Sequence, residues 1–212
     1  MIKDVIFNKR SFSLIELIFA ILLISIITTF TFTKVKVSDI DIATQKLLLY
    51  LNYTRYIANI DNKFDIDNLS WKMKLWTLKF QRCNKSIGGL YYVIYSDESG
   101  GTAHYKKSDC LKEPLNNKYI YSSSSCTNKF DQSKYTLLTK EFHITKVEIS
   151  CNSSSSLGQI SFGYDGKIYS KLSSDINKII EIIEPCDIKL IDNQNHNKTI
   201  RVHPKTGFIE ML

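Results

Sequence analysis

One carboxylate stands inside the most apolar stretch of the chain. From Ser11 to Phe32 the only charged residue is Glu16, set among Phe12, Leu14, Ile15, Leu17, Ile18 and the aliphatic run that follows. An ionised carboxylate at full depth in an apolar phase costs about 2.5–3.5 kcal/mol, so Glu16 needs a cation or donors to meet it. A second set with chemistry is the cysteines Cys83, Cys110, Cys126, Cys151 and Cys186, all downstream of that stretch. An odd number leaves one thiol over and permits fifteen arrangements of two bridges. No C-x-x-C occurs, so neither a dithiol redox motif nor a zinc ribbon is supported. Third, period-two spacing places Arg201, His203 and Lys205 on one strand face, with Lys198 close by. Such a stripe could meet DNA phosphates, though a solvated face is the preferred reading.

The remaining polar residues exclude more than they suggest. His104, His143, His196 and His203 stand apart without ligand-like spacing. Asp97, Glu98 and the loop Asp192–Asn197 offer oxygen atoms, but without the ligand density of a calcium loop. There is no G-x-S-x-G, no phosphate-binding glycine loop and no His–carboxylate pair at useful spacing. The sequence therefore calls for no enzyme, no cofactor and no metal. The net charge of +7 is modest and is compatible with phosphates or anionic lipid nearby.

The elements that must carry these residues follow from periodicity. The run from Phe12 to about residue 33 is long enough for a membrane-spanning helix. Ile40, Ala43, Leu47, Tyr50 or Leu51, Thr54 and Ile57 or Ala58 then recur at three- and four-residue steps. With no Pro or Gly between Phe12 and Asn62, one helix of about 50 residues is expected, far above the globular average. The alternative is two helices meeting at the threonine-rich segment 28–33, whose helix propensity is weak. Beyond Trp71 the pattern turns to strands: Trp76, Leu78 and Phe80 alternate with polar residues, and Leu90–Tyr95 is a second run. Residues 102–135 read as a polar excursion with one strand at Lys118–Tyr121. Strands are also expected at His143–Ser150, on either side of Gly163–Gly166, at Asp187–Ile191, at Lys198–His203 and at Phe208–Leu212. A short helix is expected at Asp175–Glu184, closed by Pro185.

The segment Lys9-Arg10-Ser11 followed by Phe12-Ser13-Leu14-Ile15-Glu16-Leu17 resembles the processing site of type IV prepilins and type II secretion pseudopilins. The resemblance covers about the first 35 residues, and Ser11 stands where the family usually has Gly. It implies cleavage between Ser11 and Phe12 by a prepilin peptidase, methylation of the Phe12 amine, and a role for Glu16 in pairing with that amine on a neighbouring subunit. Cleavage would remove Lys3, Lys9, Arg10 and Asp4 and lower the charge from +7 to +5. Shorter stretches resemble the H-type minor pseudopilins: Leu48–Ala58 with Arg55, Ile160-Ser161-Phe162 with Asp165-Gly166, and Lys198–Val202 with Thr206-Gly207-Phe208.

The expected fold is α+β and pilin-like: a long N-terminal helix, membrane-spanning in its first half, packed on an antiparallel sheet. The expected divisions are a leader at 1–11, a membrane or filament-core helix at 12–33, an amphipathic continuation at 34–62 and a β-rich domain at 63–212. The basic flank at Lys3, Lys9 and Arg10 orients that domain to the periplasm, where disulfides form. The function so implied is that of a minor pilin or pseudopilin, single-pass in the bacterial inner membrane. Its partners would be other pilins, the prepilin peptidase, an inner-membrane assembly platform and the lipid bilayer. A DNA-binding minor pilin using Arg201, His203 and Lys205, and an unrelated signal-anchored envelope protein, are the rival readings.

Overall fold

The computed structural model describes residues 13–31, 37–67, 69–97, 105–151, 156–171 and 179–212. The chain forms two compact units, residues 1–37 and 38–212. In the first, helix α1 runs from Leu14 to Thr31. Ser13 and Glu16 close its N-terminus reciprocally: the Ser13 N–H donates to Glu16 Oε2 at 3.0 Å, and the Glu16 N–H donates to Ser13 Oγ at 3.3 Å. This is a capping box, which satisfies two amide donors that the first turn leaves unpaired.

In the second unit, helix α2 (Asp39–Ile60) begins at its own cap. Ser38 has extended backbone (φ −74°, ψ 153°), and its hydroxyl accepts from the Asp41 N–H at 3.4 Å. Asp39 and Asp41 set negative charge at the positive end of the helix dipole. The expectation of one helix of about 50 residues is thus overturned. The Ser-Asp-Ile-Asp sequence starts a new helix, and the apolar run and the amphipathic run belong to separate elements. Among the described residues no helix is long and apolar enough to cross a membrane. The 18 residues of α1 rise about 27 Å, short of the roughly 30 Å of a hydrocarbon core.

A single sheet was expected as well; there are two, both antiparallel. The first has the order β2-β1-β4-β5-β6, with β1 Trp76–Arg82, β2 Leu90–Tyr95, β4 Gln159–Phe162, β5 Ile168–Lys171 and β6 Ile180–Glu181. The second has the order β3-β7-β8-β9, with β3 Ile144–Ile149, β7 Cys186–Asp192, β8 Asn197–Val202 and β9 Ile209–Met211. Helix α2 packs against strands of both sheets through Ile40, Ala43, Thr44, Leu47, Tyr50, Leu51, Thr54 and Ala58. That face recurs at helical spacing, and burial of its apolar side chains holds the domain together.

Two local expectations are also corrected. Ile180 and Glu181, placed by pattern in a helix over 175–184, form strand β6 against Lys171 and Tyr169 of β5. Residues 175–178 of that helix lie outside the described residues. Around Lys118–Tyr121 only isolated bridges form, Tyr119 pairing with Lys112 and with Gln132. A short helix α3 (Leu138–Phe142), ended by His143 in left-handed conformation (φ 57°), precedes β3.

Strand β2 is buried along its whole length. Leu90, Tyr92 and Ile94 face the main core, whereas Tyr91, Val93 and Tyr95 pack with Cys110, Cys126 and Leu137. The excursion at 105–137 therefore covers the second face of β2. This explains why Leu-Tyr-Tyr-Val-Ile-Tyr reads as a continuous apolar run with no alternation.

Candidate functional site

Helix α1 is the element that nothing in the fold explains. Leu14, Ile15, Leu17, Ile18, Phe19, Ile21, Leu22, Leu23, Ile24, Ile26 and Ile27 are each about half exposed or more. Single exposed apolar residues are ordinary, but a contiguous surface of this extent marks an interaction. Glu16 lies exposed in the first turn, where its carboxylate favours the helix dipole as well as capping the Ser13 amide. The signal for this second role was in the sequence: Ser13-Leu14-Ile15-Glu16 has capping-box spacing ahead of an apolar run. The proposed cleavage position, Ser11 and Phe12, lies outside the described residues.

The turn glycines that carry the shorter resemblances come together. Gly166, in the β4–β5 turn, and Gly207, in the β8–β9 turn, have φ of +81° and +60°. A Cβ on Gly166 would stand 3.0 Å from the Lys205 carbonyl oxygen, and one on Gly207 3.2 Å from the Gly166 carbonyl oxygen. The same Gly207 Cβ would meet Arg55 Cδ and Nε of α2 at 3.4 Å. One turn from each sheet and one helix side chain thus share a junction in which a side chain at either glycine would be crowded and, at positive φ, strained. Arg55 Nε is buried there and makes no hydrogen bond among the described residues.

Two of the three residues of the basic stripe are met by carboxylates. Arg201 donates from Nε and from a terminal nitrogen to the two Asp187 oxygens, both at 2.7 Å. That bidentate bond holds the Asp187 carboxyl below its ordinary range and raises the Arg201 guanidinium. His203 Nε2 lies 2.7 Å from Glu210 Oε1. Lys205 sits exposed in the following turn at φ 68°. Only Lys205 of the three candidate DNA contacts is without a carboxylate partner among the described residues.

His–carboxylate pairs are more frequent than spacing suggested. His143 Nδ1 lies 3.0 Å from Asp39 Oδ2, and His196 Nδ1 lies 3.0 Å from Asp192 Oδ2. Asp192 Oδ1 also accepts the Gln194 and His196 amides at 2.8 and 2.9 Å, so its oxygens are spent on its own loop. Among the described residues no hydroxyl or thiol is seen hydrogen-bonded to the His143, His196 or His203 ring. Among the described residues no group of His, Cys, Asp and Glu could hold a metal ion. His104 and Glu98 lie outside the described residues.

Cys83 pairs with Cys126, and Cys151 with Cys186. Cys110 is free and buried; its thiol is pushed far up by burial, with nearby Asp109 acting in the same direction. A thiol so held is protonated and a poor nucleophile. Spacing alone left fifteen arrangements, because only the fold brings Cys83 of the β1 end beside Cys126 of the excursion. Comparison of the chain with protein-family models, with curated proteins and with solved structures gives no match.

Proposed function

We propose that the chain is a structural subunit, a minor pilin or pseudopilin, built into a filament of the type II secretion or type IV pilus kind. What supports this reading is the exposed apolar helix α1 with one carboxylate in its first turn. A helix of that character needs other apolar helices around it, and a filament core supplies them. Processing between Ser11 and Phe12 would create an amine at the start of the mature chain. Glu16 of one subunit would then meet that amine on its neighbour, a pairing that fixes register in a low-dielectric core. Before assembly the apolar surface of α1 would rest in inner-membrane lipid. The disulfide-bonded domain 38–212 would lie on the periplasmic side, where such bonds persist. Partners on this reading are other pilins, the prepilin peptidase and the assembly platform.

The capping role of Glu16 dictates the form of the test. Glu16→Gln keeps a capping-box side chain but removes the charge, whereas Glu16→Ala removes both. Co-purification of each variant with the other pilins, at matched protein level, is expected to show both reduced several-fold. If Glu16→Gln assembles like the native chain, the carboxylate serves only as a cap and the pilin reading loses its contact.

A further inference from the structure

Two reverse turns of the excursion stand side by side. Glu113–Lys118 is closed by hydrogen bonds from the Asn117 amide to the Glu113 carbonyl (3.0 Å) and from the Glu113 amide to the Lys118 carbonyl (2.8 Å). Lys129–Gln132 is closed from the Gln132 amide to the Lys129 carbonyl at 3.0 Å. Lys112 bridges Tyr119 antiparallel, so the first turn lies ahead of Tyr119. Tyr119 bridges Gln132 in parallel, so the residues ahead of Gln132 lie at the same end. Bonds from the Tyr119 amide to the Asp131 carbonyl (2.9 Å) and from the Ser133 amide to the Tyr119 carbonyl (2.8 Å) lock the two segments together.

The turns push Leu115 and Phe130 into solvent at 93% and 94% exposure, the highest of the large apolar side chains described. Lysines stand on both turns and beside Tyr119. Lys118 Nζ lies 5.6 Å from the Phe130 ring centroid, and Lys107 and Lys112 flank the Tyr119 ring at 5.0 and 4.7 Å. Lys129 opens the second turn. The acids nearby are engaged: Asp131 pairs with Lys107, Glu113 is buried against Tyr50, and Asp109 accepts the Lys106 amide and the Ser108 hydroxyl. Among the described residues Lys112, Lys118 and Lys129 have no carboxylate at ion-pair distance.

We propose that this pair of turns docks on an anionic lipid surface. Leu115 and Phe130 enter the boundary between headgroups and acyl chains, and Lys112, Lys118 and Lys129 meet lipid phosphates. The two apolar side chains protrude from turn tips. They offer far less than the roughly 1,200 Å² of a stable protein interface, whereas a soft bilayer surface closes around them. Basic residues beside apolar ones are the combination that holds a surface to anionic headgroups.

The domain 38–212 contains every described residue of the apolar core and both disulfides, so it can be tested without α1 and independently of the filament reading. Its flotation with phosphatidylglycerol-containing vesicles is expected to exceed that with pure phosphatidylcholine by at least about tenfold. Leu115→Ser with Phe130→Ser, and separately Lys112→Gln with Lys118→Gln and Lys129→Gln, are each expected to reduce it to the neutral level. Near-ultraviolet circular dichroism and the count of one free thiol check that each variant is folded. Equal flotation with both vesicle types, no flotation with either, or binding unaffected by the two serine substitutions would overturn the proposal. Capture of an acidic protein surface without vesicle binding would overturn it in favour of a protein partner.

Discussion

Residue identity matters most where a polar group is buried with few partners. Tyr50 in the middle of α2 donates its hydroxyl to Glu113, which is buried at 7% exposure, and lies 3.2 Å from Ser133 Oγ. Burial, and then the bond to Glu113, hold the phenol protonated well above its usual range. Tyr50→Phe removes the donor and leaves a carboxylate in the interior. A loss of about 1–3 kcal/mol is expected in urea unfolding. Adding Glu113→Leu should recover part of that loss, because the cost lies in the unsatisfied group and not in the missing bond. If Tyr50→Phe were neutral, the hydroxyl would not be the tie between α2 and the excursion.

Among the elements, β7 and β8 show how a stripe legible in sequence is cancelled by register. Asp187 and Arg201 are direct cross-strand partners, so the cation meets a carboxylate on its own sheet. Asp187 has a lowered folded pKa, caused first by its bond to Arg201. Its contribution is therefore fully present above the unfolded value of about 3.9 and is lost as pH falls through the folded value. Arg201→Gln should lower stability slightly at neutral pH, since both side chains are about one-third exposed and solvent screens the pair. The difference from the native chain should narrow below about pH 4. Unfolding curves at neutral pH and near pH 3 check the sign, and a gap that widens in acid would refute the assignment. In α2 it is the Ser38 cap that makes an independent helix, which is why the apolar and amphipathic runs do not merge.

For the whole domain, the two disulfides act on different parts. Cys83–Cys126 closes a separation of 43 residues and ties the excursion to the end of β1; Cys151–Cys186 closes 35 and ties the end of β3 to the start of β7. Loop entropy gives each up to about 4 kcal/mol. The Cys83→Ser, Cys126→Ser variant should speed hydrogen exchange at Tyr91, Val93 and Tyr95, whose outer face the excursion covers. The Cys151→Ser, Cys186→Ser variant should leave those amides protected while loosening β3 and β7. The opposite pattern would mean that the excursion is held by its backbone bonds alone.

Local chemistry was readable in the sequence because it depends on near neighbours. The buried face of α2, most strand runs, the tight turn at Gly166 and the isolation of Glu16 all follow from spacing. The caps at Ser13 and Ser38 were equally local, and the second of them decides that two helices form where an unbroken run suggested one. Other features depend on residues far apart in the chain. Which cysteines pair, that Arg201 is neutralised by Asp187, that Glu113 turns inward to Tyr50, and that Gly166, Gly207 and Arg55 meet are consequences of strand order and register. The division into two sheets is of the same kind. Alternating patterns state that a strand has a buried face; only the packed chain decides which sheet supplies the cover.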